Sequence, residues 1–242
     1  MIRVENLQKK FGKVIAVDGV SFEVPDGQVT GLLGPNGAGK TTTLRMLYGL
    51  MRADGGRMEV EGIDVDSNPQ GAQAHMGILP DSRGLYPRLT AREHLRYFGR
   101  LQGVDKALLE TRIDELVQQL DMGTIVDRRS EGFSQGERVK VALGRALVHN
   151  PANVLLDEPT NGLDVMGTRA MRGIIRRMRA EGKCVLFSSH IMQEVSALCD
   201  RIVIISAGHI VAQGTPAELL IQSGHDTLED AFVTLTGIDE VS

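Results

Sequence analysis

The amino-acid sequence predicts an α/β protein in which helices cover both faces of a parallel sheet. Apolar runs at residues 154–156, 185–187 and 202–205 are nearly continuous, which is typical of strands buried on both faces. Residues 168–179, between the first two runs, have a helical pattern. A further strand at residues 29–33 leads into a glycine-rich loop and then a helix. Strands that alternate with helices in this way indicate a parallel sheet.

The first third of the chain is predicted to form short strands before that loop. Residues 3–7 and 20–24 alternate weakly between apolar and polar positions, and residues 25–27 (Pro-Asp-Gly) are a turn signal. After the loop, the apolar residues of segment 41–50 follow mostly helical spacing. The local order is therefore strand, loop, helix.

The middle of the chain changes to a helical pattern. One helix face is apolar at the positions Leu109, Ile113, Leu116, Val117 and Leu120. We predict a helical subdomain, about residues 85–150, inserted into a single domain that spans residues 1–242. Towards the end, residues 208–214 resemble the return strand of a hairpin and residues 228–235 a short closing helix.

Composition excludes several classes of function. The chain has 27 basic and 31 acidic residues among 242, with no run of like charges, so nucleic acid is not an expected partner. Cys184 and Cys199 lack the spacing of a metal or redox motif, and we expect both to be reduced core residues. No stretch approaches the roughly 18 to 20 apolar residues of a membrane span, and the first residues lack the apolar region of a secretory signal.

The segment GPNGAGKT fits the phosphate-binding loop pattern at every fixed position. Its glycines allow backbone N–H groups to turn towards phosphate oxygens, and the following helix points its positive end at them. We expect Lys40 to reach the β and γ phosphates and the Thr41 hydroxyl to ligate Mg²⁺. A generic glycine-rich turn is the alternative, which the flanking strand and helix disfavour. The predicted nucleotide contacts are Gly34, Pro35, Asn36, Gly37, Ala38, Gly39, Lys40, Thr41 and Thr42.

A second motif is the apolar strand at residues 154–156 that ends in two adjacent carboxylates. Strand carboxyl ends are where α/β sheets bind ligands. Asp157 can hold the metal through water, and Glu158 can orient or deprotonate an attacking water. Taken alone, the pair would favour the interpretation of a strand capped by solvated acids. The phosphate-binding loop favours the catalytic interpretation.

Residues 133–137 (FSQGE) have two compatible interpretations. Ser134 and Glu137 match a capping box, which predicts a well-capped helix that runs on to residue 147. Such a helix start also attracts anions, because its N–H groups are free and the helix dipole is positive there.

Together these motifs resemble the ABC ATPases over essentially the whole chain. The resemblance implies the fold of that family of phosphate-loop nucleotide hydrolases, a parallel-sheet core with an antiparallel β subdomain and an inserted α-helical subdomain. It also implies hydrolysis of ATP with Mg²⁺. The implied catalytic residues are Glu158 and the switch histidine His190. The further nucleotide contacts it implies are Phe11 on the adenine, Ser134 and Gly136 of the signature, and Asp164 of the D-loop at residues 161–164. The implied metal ligands are Thr41, Asp81 and Asp157.

This sequence departs from the family pattern at two places. The signature is FSQGE where the family has LSGGQ, so Gln135 replaces a glycine and Glu137 a glutamine. At the position of the Q-loop glutamine stands Asp81. A carboxylate is a good ligand for a hard cation, yet it brings negative charge near the γ phosphate. The second departure therefore bears on rate and coupling more than on binding.

The resemblance also implies partners. Family members hold two ATP molecules between two cassettes, and this chain has one copy of each motif, so we expect a homodimer closed by two-fold symmetry. Residues 84–90 and 228–232 resemble the ATP-binding subunits of bacterial ABC-2 type exporters. Residues 81–86 are most similar to the NatA-like ATPases of sodium-ion exporters. The resemblance therefore implies a location in the cytoplasm, bound to the inner face of the membrane through a separate integral membrane permease.

A soluble ABC ATPase of another class is the alternative. Repair ATPases insert a long coiled coil for which this chain has no room. The type that assists iron–sulfur cluster assembly is compatible with the chain length, and it would have soluble scaffold proteins as neighbours in the genome.

Overall fold

The computed structural model describes residues 1–82 and 84–237. Its strands are β1 (Ile2–Phe11), β2 (Val14–Val24), β3 (Val29–Leu33), β4 (Gly55–Val60), β5 (Ile63–Asp64), β6 (Met76–Leu79), β7 (Asn153–Asp157), β8 (Cys184–Ser189), β9 (Arg201–Ser206) and β10 (His209–Gly214). Its helices are α1 (Lys40–Leu47), α2 (Pro69–Gln73), α3 (Ala91–Leu101), α4 (Lys106–Gln119), α5 (Gln135–Leu147), α6 (Val165–Ala180), α7 (Met192–Leu198), α8 (Pro216–Ser223) and α9 (Leu228–Thr236). A short 3₁₀ helix, Ser130–Gly132, precedes α5.

The larger sheet has the order β10-β9-β3-β8-β7-β6. All neighbouring pairs are parallel except β9 and β10, which form an antiparallel hairpin. Every residue of β3, β7 and β8 is buried, which explains why these strands are apolar and do not alternate. The predicted parallel sheet and the hairpin return are confirmed.

A second sheet is antiparallel and has the order β2-β1-β4-β5. Register shifts interrupt the pairing of β1 with β2, so these long strands are irregular. Together the two sheets confirm the predicted fold class. The sequence did not indicate β4 and β5, because β4 opens with two glycines and β5 has only two residues.

Helices α3, α4 and α5 lie between β6 and β7 in the chain, inside the interval predicted to be helical. Leu109, Ile113 and Leu116 of α4 are buried, as the spacing predicted. The extent of the domain stays a prediction, since residues 238–242 are outside the described residues. Arg83, within the 81–86 segment, is also outside them.

The core lies on both faces of the larger sheet. Val154 and Leu156 of β7 pack with residues of the helices α3 to α6, whereas Leu155 packs with the antiparallel sheet and α1. This alternation follows from the two-residue period of a strand. Both cysteines are buried, and burial raises the pKa of the Cys184 thiol to about 12, so both behave as core residues. Among the described helices, none has the length and apolar character needed to cross a bilayer.

Candidate active site

The glycine-rich loop connects β3 to α1 and depends on backbone conformations that glycine favours. Gly37 and Gly39 have φ of 81° and 108°, which side chains rarely adopt. A Cβ at Gly39 would also lie 2.5 Å from the carbonyl oxygen of Ala16. With glycine at the N-cap of α1, no side chain covers the first N–H groups of this helix. The helix start is therefore built to receive an anion.

Lys40 is the buried cation of this loop, with only 5% of its surface exposed. Its Nζ donates to the carbonyl oxygens of Gly34 and Pro35 at 2.7 and 3.1 Å and lies 3.6 Å from Oε1 of Glu158. Burial lowers the pKa of Lys40, and the Glu158 carboxylate opposes that shift. The ammonium is thus held at the loop by carbonyl dipoles and one carboxylate.

Asp157 ends β7 beside the start of α1. Its Oδ1 accepts hydrogen bonds from the hydroxyls of Ser188 at 2.7 Å and Thr41 at 3.3 Å. Burial raises the pKa of Asp157, and these two hydroxyl donors act in the opposite direction. These two hydrogen bonds connect Asp157 to α1 and to β8 at the carboxyl edge of the sheet.

Glu158, the next residue, has a left-handed backbone with φ of 46°. That conformation costs a non-glycine residue about 1 to 2 kcal/mol and points to a functional constraint. The backbone is held by hydrogen bonds from Glu158 N–H to Ser188 Oγ at 2.9 Å and from Asn161 N–H to the Glu158 carbonyl at 3.1 Å. From this turn the Glu158 side chain reaches Lys40, with Oε1 3.6 Å from Nζ.

His190 follows β8 and meets Glu158 from the other side. Its Nδ1 is 3.0 Å from Glu158 Oε2. Since a carboxylate only accepts, the proton of this hydrogen bond is on Nδ1. The carboxylate of Glu158 therefore lies between the ammonium of Lys40 and the imidazole of His190.

Lys40, Glu158 and His190 line one cavity of about 470 Å³, within the size range of ligand sites. The predicted site residues Gly34, Pro35 and Asp157 are not among its lining residues. Asp81, from the loop after β6, lies on its wall, and its negative charge contributes to raising the pKa of Asp157. The described residues that line the cavity are Ala16, Asn36, Gly37, Ala38, Gly39, Lys40, Thr41, Thr42, Asp81, Glu158, Asn161 and His190.

The oxygen donors at this edge fit Mg²⁺. A hydroxyl on Thr41 and carboxylates on Asp157 and Asp81 are hard ligands, and Mg²⁺ is usually held by one or two carboxylates together with phosphates and water. In the part of the chain that the structure describes, no cluster of three or more His, Cys, Asp or Glu side chains gathers into a metal site. A site completed by the substrate phosphates agrees with both observations.

Phe11, Ser134, Gly136 and Asp164, which the family resemblance implied, lie in other parts of the chain, away from this cavity. Phe11 is at the exposed end of β1, with Lys9 Nζ 5.7 Å from its ring centroid. Ser134 caps α5 in the predicted capping box with Glu137. Gly136 lies in the first turn of that helix, and Asp164 caps α6 by accepting from Gly167 N–H at 2.7 Å. Within one chain the signature and the phosphate-binding loop are therefore separate.

The sequence did not single out Ser188 and Ala16, and it named Asn161 only as part of the D-loop segment at residues 161–164. Ser188 connects Asp157 and Glu158, and Ala16 and Asn161 line the cavity. The position of Ser188 at the end of an apolar strand beside β7 was an available signal, because neighbouring parallel strands end at the same edge. Ala16 carries no chemical signal of its own.

The glycine-rich loop, the buried lysine and the paired carboxylates define a nucleotide-binding site of the phosphate-loop class. The family model described as ABC transporter matches residues 17–161, more than half of the chain. The chain belongs to the ABC transporter family, as an ATP-binding cassette that hydrolyses ATP. ATP and Mg²⁺ are the general cofactors of this family, as predicted.

Individual relatives align with almost the whole length of this chain. The chain is 41% identical to the ABC transporter ATP-binding protein NatA of Bacillus subtilis, covering 94% of this chain and 93% of that protein. It is 37% identical to the Nod factor export ATP-binding protein I of Ralstonia nicotianae, over 95% of this chain and 72% of that protein. A solved ATP-binding subunit of an ABC transporter superposes with a TM-score of 0.91 at 29% identity, covering 98% of this chain and 99% of that one.

Proposed function

We propose that this chain couples ATP hydrolysis to export through a separate membrane permease, with Glu158 as the catalytic carboxylate. The observation that carries the proposal is the position of Glu158, 3.6 Å from Lys40 Nζ and 3.0 Å from His190 Nδ1 at the wall of the phosphate-loop cavity. A carboxylate held between a cation and an imidazole, beside a phosphate-binding loop, is suited to orient and deprotonate an attacking water.

Each residue has a proposed role. The N–H groups of residues 36–42 and the ammonium of Lys40 bind the phosphates. They also neutralise the negative charge that develops while the γ phosphoryl group is transferred to water. Thr41, Asp157 and Asp81 would hold Mg²⁺, which supplies positive charge to the phosphate oxygens when bound. Glu158 takes the proton of the attacking water. His190 holds the Glu158 carboxylate in place through Nδ1–H and, as the family switch residue, contacts the γ phosphate.

We propose that a complete site needs two copies of the chain. Ser134 and Gly136 lie outside the cavity of the described residues, while the start of α5 is suited to bind phosphate. A homodimer with two-fold symmetry would bring the signature of one copy to the loop of the other. Phe11 and Asp164 would then act at the same interface, on the adenine and at the D-loop.

We propose a bacterial ABC-2 type permease as the membrane partner, with the cassette in the cytoplasm on the inner face of the membrane. The likeness of the chain to a Nod factor export protein supports the export direction. The resemblance of residues 81–86 to sodium-exporter subunits supports sodium ions as the cargo. The whole chain, residues 1–242, would form this one cassette, with residues 85–150 as its helical subdomain.

The test uses the genes beside the one for this chain. A neighbouring frame with about six apolar segments of some 20 residues would encode the permease. The co-purified complex, reconstituted in vesicles with the cassettes outside, should take up radioactive sodium on addition of Mg-ATP. The complex with Glu158→Gln is the matched control and should not. Neighbouring frames that encode only soluble scaffold proteins would contradict the transport function. ATP hydrolysis by the reconstituted complex without sodium uptake would contradict sodium as the cargo.

A further inference from the structure

A buried carboxylate lies behind the active site and has no role in the proposed chemistry. Glu194, in the first turn of α7, exposes 2% of its surface. Its Oε2 accepts a hydrogen bond of 2.6 Å from the hydroxyl of Thr160 and a longer one of 3.4 Å from the hydroxyl of Ser189. Thr160 and Ser189 are themselves buried, with 6% and 0% exposed.

Burial of the Glu194 carboxyl group costs free energy, so its contacts point to a role for this residue. A carboxyl group loses its hydration when it is buried, and it is retained only where hydrogen bonds replace the lost water. Two hydroxyl donors from different loops supply that replacement here. A buried apolar side chain at position 194 would fill the same space without linking the loops.

The two loops that Glu194 joins each carry a proposed catalytic residue. Thr160 is two residues after Glu158, and its carbonyl accepts a hydrogen bond from Leu163 N–H at 3.0 Å. Ser189 directly precedes His190, and its Oγ accepts from the N–H of Ile191 at 3.0 Å. The hydroxyls thus connect Glu194 to the backbone on one side of Glu158 and on both sides of His190.

We infer that Glu194 is a positioning residue for ATP hydrolysis, which sets the contact between His190 and Glu158 by joining their loops through Thr160 and Ser189. The inference rests on the proposed roles of Glu158 and His190. Glu194 itself does not line the nucleotide cavity among the described residues. Loss of the link should therefore change catalysis and leave nucleotide binding unchanged.

The matched variants are Thr160→Val, which keeps the shape and removes the hydroxyl, and Thr160→Ser, which keeps the hydroxyl. We expect Thr160→Val to lower kcat by roughly tenfold to a hundredfold, the loss that a small misplacement of catalytic groups produces. KM for ATP should stay within about twofold, because the phosphate-binding loop is untouched. Thr160→Ser should remain near the wild-type rate.

A second measurement does not depend on hydrolysis. The ¹⁵N resonances of the His190 ring, assigned with His190→Asn, report the Nδ1 contact with Glu158. They should shift in Thr160→Val and stay in place in Thr160→Ser. If Thr160→Val does not fold by circular dichroism, Ser189→Ala removes the weaker donor and should shift the same resonances.

Two results would overturn the inference. One is a folded Thr160→Val protein with wild-type kcat and unchanged His190 resonances, and the other is an equal loss of kcat in Thr160→Val and Thr160→Ser. Failure of the proposed function has a different signature. In that case Glu158→Gln would hydrolyse ATP normally, while the His190 resonances would still separate the two Thr160 variants.

Discussion

Replacement of Ser188 by alanine tests how the two carboxylates of the active site are held. The Ser188 hydroxyl donates to Asp157 Oδ1 at 2.7 Å and accepts from Glu158 N–H at 2.9 Å, and Ser188 is completely buried. Alanine removes both hydrogen bonds and leaves no group in their place. Asp157 then keeps only the longer hydrogen bond from Thr41 among these donors.

The two losses can be added approximately. A hydrogen bond to a charged group contributes about 1.5 to 3 kcal/mol, and a partly buried N–H that loses its partner costs about 1 kcal/mol. We therefore expect Ser188→Ala to lower the free energy of unfolding by about 3 kcal/mol, which for a chain of this size lowers Tm by about 6 to 12 °C. Ser196→Ala, at an exposed position of α7, is the control and should change stability by less than about 0.5 kcal/mol.

Thermal unfolding followed by circular dichroism, without nucleotide, gives the answer for both variants. A Tm for Ser188→Ala that matches the Ser196→Ala control would refute this account of how Asp157 and Glu158 are held. A magnesium titration of the ATPase activity is the second readout. Ser188 holds Asp157, a proposed metal ligand, in place. The Mg²⁺ concentration for half-maximal activity should therefore rise in Ser188→Ala.

Three further changes probe other parts of the chain. Lys40→Ala should abolish ATP binding or weaken it severely, since it removes the buried cation of the loop, and wild-type affinity in isothermal titration would contradict the loop assignment. Asp81→Ala should raise the Mg²⁺ concentration for half-maximal hydrolysis while Asp81→Gln stays active, and superimposed titration curves for wild type and both variants would exclude a metal role. His94 is buried as a neutral ring that accepts from Tyr86 N–H at 2.8 Å, and burial lowers its pKa. Because an unfolded histidine titrates near 6.5, about as in model peptides, His94 should reduce stability as the pH falls below that value. Tm should then drop less between pH 7.5 and 5.5 in His94→Gln, and equal drops would contradict the argument.

The sequence predicts the strands that have a strong pattern of their own. β3, β7 and β8 are continuous apolar runs because both of their faces are covered, so composition alone marks them. β6 has four residues, one of them glycine, and α7 has seven, so neither forms a pattern that can be recognised. Such elements are fixed by the sheet and the helices around them.

The candidate site likewise has residues that the sequence identifies and residues that only the fold brings together. The phosphate-binding loop is contiguous in the chain, so its residues and their chemistry can be identified together. Ser188 and Glu194 act on residues that are 31 and 34 positions away, and they become neighbours only when β7 and β8 pair. A serine and a glutamate have no pattern that reveals such contacts before the fold is known.

The predicted signature illustrates a mixed outcome. The sequence correctly predicts the capping box of Ser134 and Glu137, because that motif is local. The surroundings of Gln135, which departs from the family pattern, were not predictable. A Cβ built on Gly162 would lie 3.3 Å from the Gln135 side chain, so Gln135 lies against the 161–164 segment. That contact joins two segments that are separate in the sequence.

The assignment of Glu158 is tested most directly by Glu158→Gln, which keeps the size of the side chain and removes the base. ATP affinity measured by titration should stay at or above that of the wild type, since the phosphate loop is intact and Lys40 is relieved of a carboxylate 3.6 Å away. Hydrolysis should fall by orders of magnitude, and light scattering should show a dimer at saturating Mg-ATP. A mutant that continues to hydrolyse ATP and remains monomeric under those conditions would contradict the account.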